Sequence, residues 1–288
     1  MELKRTLEEV NSLYSLEPEL RDIYVEGSRD KYFFDWYLHR KGIKTVAVYQ
    51  IELIDMPDEI LVKHALPTGS NRSRVIALSC ELAGRQAEQR RVLCVVDRDY
   101  EDYCPVCKIN PYLAFTDGNS LELYSLTPSV MDKFLLVALG GFKMSVNNFI
   151  TQVGNILERV FVIRLVNERL RWGMTWVPFA RYVEVDCDHM AFREEEFIRA
   201  YLQKNKKWSQ RDHFKKAIDD ARMSLLPDLI RRIRGHDLAD LILLIVRQLR
   251  RERQFGNAET LEACFMTAIE ASDLEVQSLF RTIGALSD

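Results

Sequence analysis

A chain of 288 residues that is 47% hydrophobic and 29% charged has the make-up of a globular protein with a full core and room for about two domains, which excludes a disordered chain. A net charge of −3 excludes a strongly basic nucleic-acid coat and leaves room for a local basic groove. Charges begin at Glu2 with no apolar stretch behind them, so no secretory signal is expected, and the most apolar run, 241–246, is too short to span a bilayer.

Residues 1–20 read as a short helix or arm interrupted at Pro18. An apolar strand over 22–26 closes in Glu26-Gly27, and Ser28 is placed to cap a helix over 31–40. Gly27 permits a tight turn that presents the Glu26 carboxylate at a sheet edge; Asp30, in the first helical turn, is a helix-dipole partner or a metal ligand. A second strand runs from Thr45 through Asp55, and a helix opening at 69–74 reaches about Gln89.

The third strand, 92–96, has no polar alternation and reads as buried on both faces, as strands of parallel sheets are. It ends in Asp97-Arg98-Asp99. Ligands of open α/β sheets sit beyond the carboxyl ends of the strands. Side chains at i and i+2 of an extended segment point the same way, which would let Asp97 and Asp99 converge on a hard cation such as Mg²⁺. The alternative is turn chemistry at a strand end. A fourth apolar segment, 112–117, leads into Gly118-Asn119-Ser120-Leu121-Glu122, where Asn119 or Ser120 can cap the next helix. Strands alternating with helices predict an α/β domain with a mostly parallel sheet over residues 1–130, its core from about 20 to 130.

Beyond Pro128 the pattern becomes helical, over 129–171, 194–204, 210–223, 226–248 and 258–283, with one short alternating strand at 182–186. This predicts a mainly helical domain over 131–288 for RNA contact, dimerisation and partner docking. It carries basic clusters at Lys204, Lys206, Lys207, Arg211, Lys215 and Lys216 around Trp208, and at Arg231, Arg232 and Arg234, each readable as a phosphate-contacting patch or as a solvated helix face. His236 is a candidate proton donor or phosphate contact, the alternative being an ordinary helix N-terminus capped near Asp237.

Six cysteines in a chain without an export signal fit a reducing cytoplasm better than a disulfide scaffold. Cys104 and Cys107 form a C-x-x-C pair that Cys187 and His189 can complete as a structural zinc site; the alternative is a set of ordinary thiols. No G-x-x-x-x-G-K-[ST] occurs, so the chain is not itself a P-loop ATPase.

The order strand-Glu26-Gly27, strand-Asp97-Arg98-Asp99 and the turn at Asn119 to Glu122 resembles the TOPRIM domain of topoisomerases, primases and OLD-type nucleases, a Rossmann-like α/β fold. Over nearly the whole chain, Tyr24 to Gly27, Asp97 to Asp99, Thr116 to Glu122 and Arg234 to Leu238 resemble the AriB-type effector nucleases of the PARIS anti-phage system. That resemblance implies a cytoplasmic, Mg²⁺-dependent endoribonuclease, with Mn²⁺ as a substitute metal. It implies a toxin of antiviral defence, held inactive by an ABC-type, AriA-like ATPase subunit and cleaving host tRNA as a homodimer once released. Its acids fall here on Glu26, Asp97 and Asp99, with Asp30 and Glu122 as additions. The Cys104 to Cys107 stretch is not a TOPRIM feature, and no lysine is assigned as transition-state stabiliser. The rival readings are a TOPRIM domain kept as an inactive docking module, and a D-x-D phosphatase or glycosyltransferase. Neither of the latter explains Glu26-Gly27, and a phosphatase wants threonine after the second acid where Tyr100 stands.

Overall fold

A computed structural model of the chain describes residues 4–85, 91–106, 109–141, 143–186, 189–250 and 255–287, the side chains of 85, 249 and 250 aside. It divides into two compact units. The first comprises residues 1–101, 105–117 and 270–288; the second comprises 102–104 and 118–269. The division falls near residue 117, earlier than the expected 130, and the last helices return to the first unit.

The first unit begins with β1 (Arg5–Thr6) and α1 (Leu7–Leu16). A T-x-x-E capping box starts α1: Thr6 Oγ1 accepts from the Glu9 N–H at 3.2 Å, and the Glu9 carboxylate accepts from the Thr6 N–H at 2.7 Å. β2 (Arg21–Val25), α2 (Ser28–Lys41) and β3 (Val46–Gln50) follow. The second expected strand is split. A 3-10 turn at Ile51–Leu53 ends β3, and β4 (Ile54–Asp55) pairs with β1 in a separate two-stranded parallel sheet. After α3 (Asp58–Lys63) and α4 (Asn71–Arg85) come β5 (Val92–Val96) and β6 (Leu113–Phe115).

The main sheet has the order β3-β2-β5-β6, and every pairing in it is parallel. All five residues of β5 are buried, as an uninterrupted apolar run requires of a strand covered on both faces. One face packs against α1 and α4 through Val10, Tyr14, Val75, Leu78 and Leu82. The chain passes from β2 outward to β3 and then returns to the other side of β2 as β5. The connections therefore part between β2 and β5, and their carboxyl ends flank the switch-point crevice where open α/β sheets bind ligands.

The last helices, α11 (Ala271–Leu274) and α12 (Ser278–Ser287), belong to this unit. Asp117 caps α12, accepting from the Ser278 and Leu279 N–H groups at 2.8 and 3.2 Å. Phe280, fully buried, packs its ring against Tyr37, Phe34 and Phe33 of α2 at centroid distances of 4.6, 5.8 and 6.2 Å.

The second unit contains a 3-10 turn at Leu121–Ser125, α5 (Pro128–Lys133) running into a π-helical turn, α6 (Val146–Leu170), and an antiparallel pair β7 (Val183–Val185) and β8 (Met190–Phe192). α7 (Glu194–Lys204), α8 (Arg211–Met223), α9 (Gly235–Arg250) and α10 (Ala258–Met266) complete it. Three expected helical patterns are divided. The 129–171 pattern stops after the π-helical turn at Phe134–Ala138 and resumes as α6; the 226–248 pattern is broken by a 3-10 turn at Leu229–Arg231, so that α9 starts at Gly235; the 258–283 pattern divides into α10, α11 and α12. Among the described residues no helix is long and apolar enough to cross a membrane.

Candidate functional site

Glu26 follows directly on β2 and Asp97 directly on β5, at the switch point. The link between them is explicit: the Asp97 N–H donates to Glu26 Oε1 at 3.1 Å. Asn71, the first residue of α4, donates from Nδ2 to the Glu26 carbonyl at 2.9 Å and to Glu52 Oε1 at 3.0 Å. Asp30 accepts from the Gly27 N–H at 3.0 Å. Gly27 is therefore the N-cap, and α2 starts at Ser28 rather than after it. Burial pushes the Glu26 carboxyl up to about 7 against the Asp97 N–H and Arg72, which lower it, and with Asp30 and Asp99, which raise it further. Burial likewise raises Asp30, against the N–H groups it accepts from and Arg29.

Asp99 reaches this edge by a different route from the i, i+2 geometry expected of an extended chain. The strand stops at Val96, and Asp99 takes a left-handed backbone conformation with φ 50°, one that aspartate tolerates better than most residues. Arg72 organises the resulting loop. Its Nε donates to the Asp97 carbonyl at 3.2 Å and lies 3.4 Å from Asp99 Oδ2, while one Nη reaches Glu101 at 3.2 Å. Arg98 turns away, donating from Nε to the Thr116 carbonyl at 2.9 Å and lying over the Phe115 ring.

Glu26 is a buried carboxyl raised further by Asp30 and Asp99, a local excess of negative charge that a cation would relieve, although among the described residues Glu26, Asp97 and Asp99 do not form a group whose ligand atoms all lie within 4.8 Å of one another. Magnesium keeps several of its waters and needs only one or two carboxylates held directly.

Glu122, expected with these acids, stands in a separate group in the second unit. It lies in the 3-10 turn, 6% exposed, beside His236 at the start of α9 and Glu262 of α10. Among the described residues these three are the set whose ligand atoms all lie within 4.8 Å of one another. His236 Nδ1 is 3.3 Å from Glu262 Oε1. Burial raises the Glu122 carboxyl, and so does Glu262, against His236.

Gly235 is required at this place. A Cβ there would sit 2.4 Å from Ser120 Oγ and 2.5 Å from Glu122 Oε2, and the Gly235 N–H donates to Ser120 Oγ at 3.1 Å. Asn119 donates from Nδ2 to the Ile233 carbonyl at 2.8 Å. Asn119 and Ser120 thus fasten the 3-10 turn to the segment entering α9 rather than capping a following helix. Asp237, in the first turn of α9, takes a bidentate pair from Arg164 of α6, at 2.9 and 2.7 Å.

The basic clusters are largely engaged within the second unit. Arg231 lies 3.6 Å from Asp102 and Arg232 3.0 Å from Glu158. Lys204 donates to the Trp176 carbonyl at 2.8 Å, Lys207 lies over Trp172, and Lys215 pairs with Glu195. Lys206 is exposed. Of the zinc set, Cys107 and Cys187 lie outside the described residues; Cys104 is a free thiol, and His189 lines a cavity with Gln152, Asn155 and Arg159. Sequence reading passed over Glu262, although an acid between Leu261 and Phe265 on the buried stripe of a helix is a visible irregularity. Comparison with the models of known protein families and with curated proteins finds no match.

Proposed function

We propose that the first unit is a Mg²⁺-dependent phosphodiesterase of the TOPRIM kind. The observation that carries this reading is the pair Glu26 and Asp97, hydrogen-bonded across adjacent parallel strand ends at the switch point, with Asp99 and Arg72 beside them. Glu26, Asp97 and Asp99 would hold the cation, Mn²⁺ serving in place of Mg²⁺. When bound, the ion supplies an activated water and neutralises charge on the phosphoryl oxygens.

The chain's own residues do the rest. The Asp97 N–H and Asn71 fix Glu26 from its carboxylate and its carbonyl, which gives the site a rigid acid on a strand end rather than on a mobile loop. Burial raises the Glu26 carboxyl to about 7 in the metal-free chain, and a cation bound there would favour its ionised form, so metal binding would release a proton as pH falls toward 7. Arg72 holds the loop carbonyl of Asp97 and faces Asp99, so a guanidinium is already present where a phosphate would approach.

The substrate and setting rest on the sequence resemblance. On that basis the chain is a tRNA-cleaving effector of an anti-phage system, acting as a homodimer after release from an ABC-type ATPase partner. The test is cleavage of bulk tRNA with Mg²⁺, with and without that ATPase, by the parent chain and by Glu26→Gln. Loss of at least about a hundredfold in the variant is expected, with its melting temperature kept. Cleavage by Glu26→Gln at the parent rate, or cleavage indifferent to chelation of the metal, refutes the assignment.

A further inference from the structure

Two carboxylates are buried against each other in the second unit, Glu122 at 6% exposure and Glu262 at 1%. Placing two negative groups side by side out of water is costly unless a cation or a shared proton compensates. The carboxylate of Glu122 is incompletely served: Oε2 is buried and has no hydrogen-bond partner. It points toward Gly235, where the absent side chain leaves it room, one residue before His236. His236 is 70% exposed at its side chain and holds Nδ1 3.3 Å from Glu262 Oε1. Bonds of about 2.0–2.1 Å around tetrahedral zinc place neighbouring ligand atoms about 3.3 Å apart. The His236–Glu262 edge already has that length, and the whole set lies within 4.8 Å.

We propose that Glu122, His236 and Glu262 form a binding site for a divalent transition-metal ion of the zinc class, distinct from the carboxylate-only site of the first unit. One imidazole with two carboxylates is a donor set for zinc or manganese rather than for magnesium. Three protein ligands, one of them solvent-exposed, leave a coordination position for water. The ion joins three elements that share no sequence proximity: the 3-10 turn, the start of α9 and α10.

The experiment is titration of the metal-free full chain with Zn²⁺ alone by calorimetry, with Co²⁺ absorption as the second readout. The parent, Glu26→Gln, Cys104→Ser and His236→Gln are compared. His236 is exposed, so its replacement leaves the core intact. The expected result is a zinc-binding step that the parent, Glu26→Gln and Cys104→Ser all keep and that is at least about tenfold weaker in His236→Gln, and a cobalt spectrum without thiolate charge-transfer bands. Glu262→Gln should repeat the loss. No zinc bound by the parent at 100 µM means that the carboxylates share a proton, and overturns the proposal. So does zinc lost in Cys104→Ser and kept in His236→Gln. Because Glu26→Gln keeps this site, failure of the nuclease reading and failure of this one are separate results.

Discussion

The Arg164–Asp237 pair ties two helices of the second unit together through a buried charge. Asp237 is 3% exposed, accepts both hydrogen bonds from one guanidinium at 2.9 and 2.7 Å, and anchors the first turn of α9 to the middle of α6. Arg164 is itself 20% exposed and stacks 3.6 Å above the Trp176 ring, so it keeps one favourable contact when its partner is removed. Deleting one member of a buried pair costs about 3–5 kcal/mol, because the other charge is stranded. The residual exposure and the cation–π contact place Asp237→Ala at the lower end, about 3 kcal/mol. The double variant Arg164→Met with Asp237→Leu removes both charges and should be more stable than the sum of its two single variants implies, by a coupling of about 1.5–3 kcal/mol. Urea unfolding followed by tryptophan fluorescence measures this, since Trp172, Trp176 and Trp208 of the four tryptophans lie in the second unit. A loss below about 1 kcal/mol for Asp237→Ala, or a double variant as unstable as the sum of the singles, refutes the reasoning.

Two further predictions concern the first unit. Phe280→Ala should cost about 3–5 kcal/mol in thermal or urea unfolding, because it empties the space between Phe33, Phe34 and Tyr37; a loss under about 1 kcal/mol would detach α12 from α2. Burial raises Asp22 above its ordinary 3.8, while the Tyr14 hydroxyl, donating at 2.6 Å, and Arg5 pull it down. A raised folded pKa means that the stability this acid contributes is complete below about pH 3.8 and is lost as pH rises through the folded value. Asp22→Asn should therefore gain on the parent between about pH 3.5 and pH 7, and a difference between the two that stays constant over that window contradicts the assignment.

Elements whose period repeats without interruption were legible. The all-apolar β5 was readable as a doubly covered strand because five buried residues in a row leave no polar face, and the glutamate after β2 was placed at the edge by Gly27 alone. The boundaries that escaped are set by hydrogen bonds with little periodic signature. Thr6 and Glu9 start α1 within what read as a loose arm, and the 3-10 turn at Ile51–Leu53 redirects an otherwise continuous β pattern so that β4 finds β1 instead of extending β3. The return of residues 270–288 to the first unit depends on Asp117 meeting Ser278 and Leu279 across 161 and 162 residues, a contact that no local pattern encodes.

The acids divide in the same way. Glu26 and Asp97 were legible because strand-end position is a local property, and parallel pairing brings neighbouring carboxyl ends together whatever the rest of the chain does. Asp99 was placed beside the strand end by a geometry that does not hold, since its backbone is left-handed rather than extended, and Arg72 lies 3.4 Å from its carboxylate there. Glu122 could be grouped from sequence only by its nearness to the fourth strand. In the fold its neighbours are chosen by Gly235, the one residue type that lets the start of α9 come against Ser120 and Glu122. The Gly235-His236 dipeptide therefore does two jobs at one point: the missing Cβ admits the buried carboxylate, and the next side chain brings the imidazole to it. An interior acid on an amphipathic helix, Glu262, beside a Gly-His at the start of another helix is the pairing that would have disclosed this cluster from sequence.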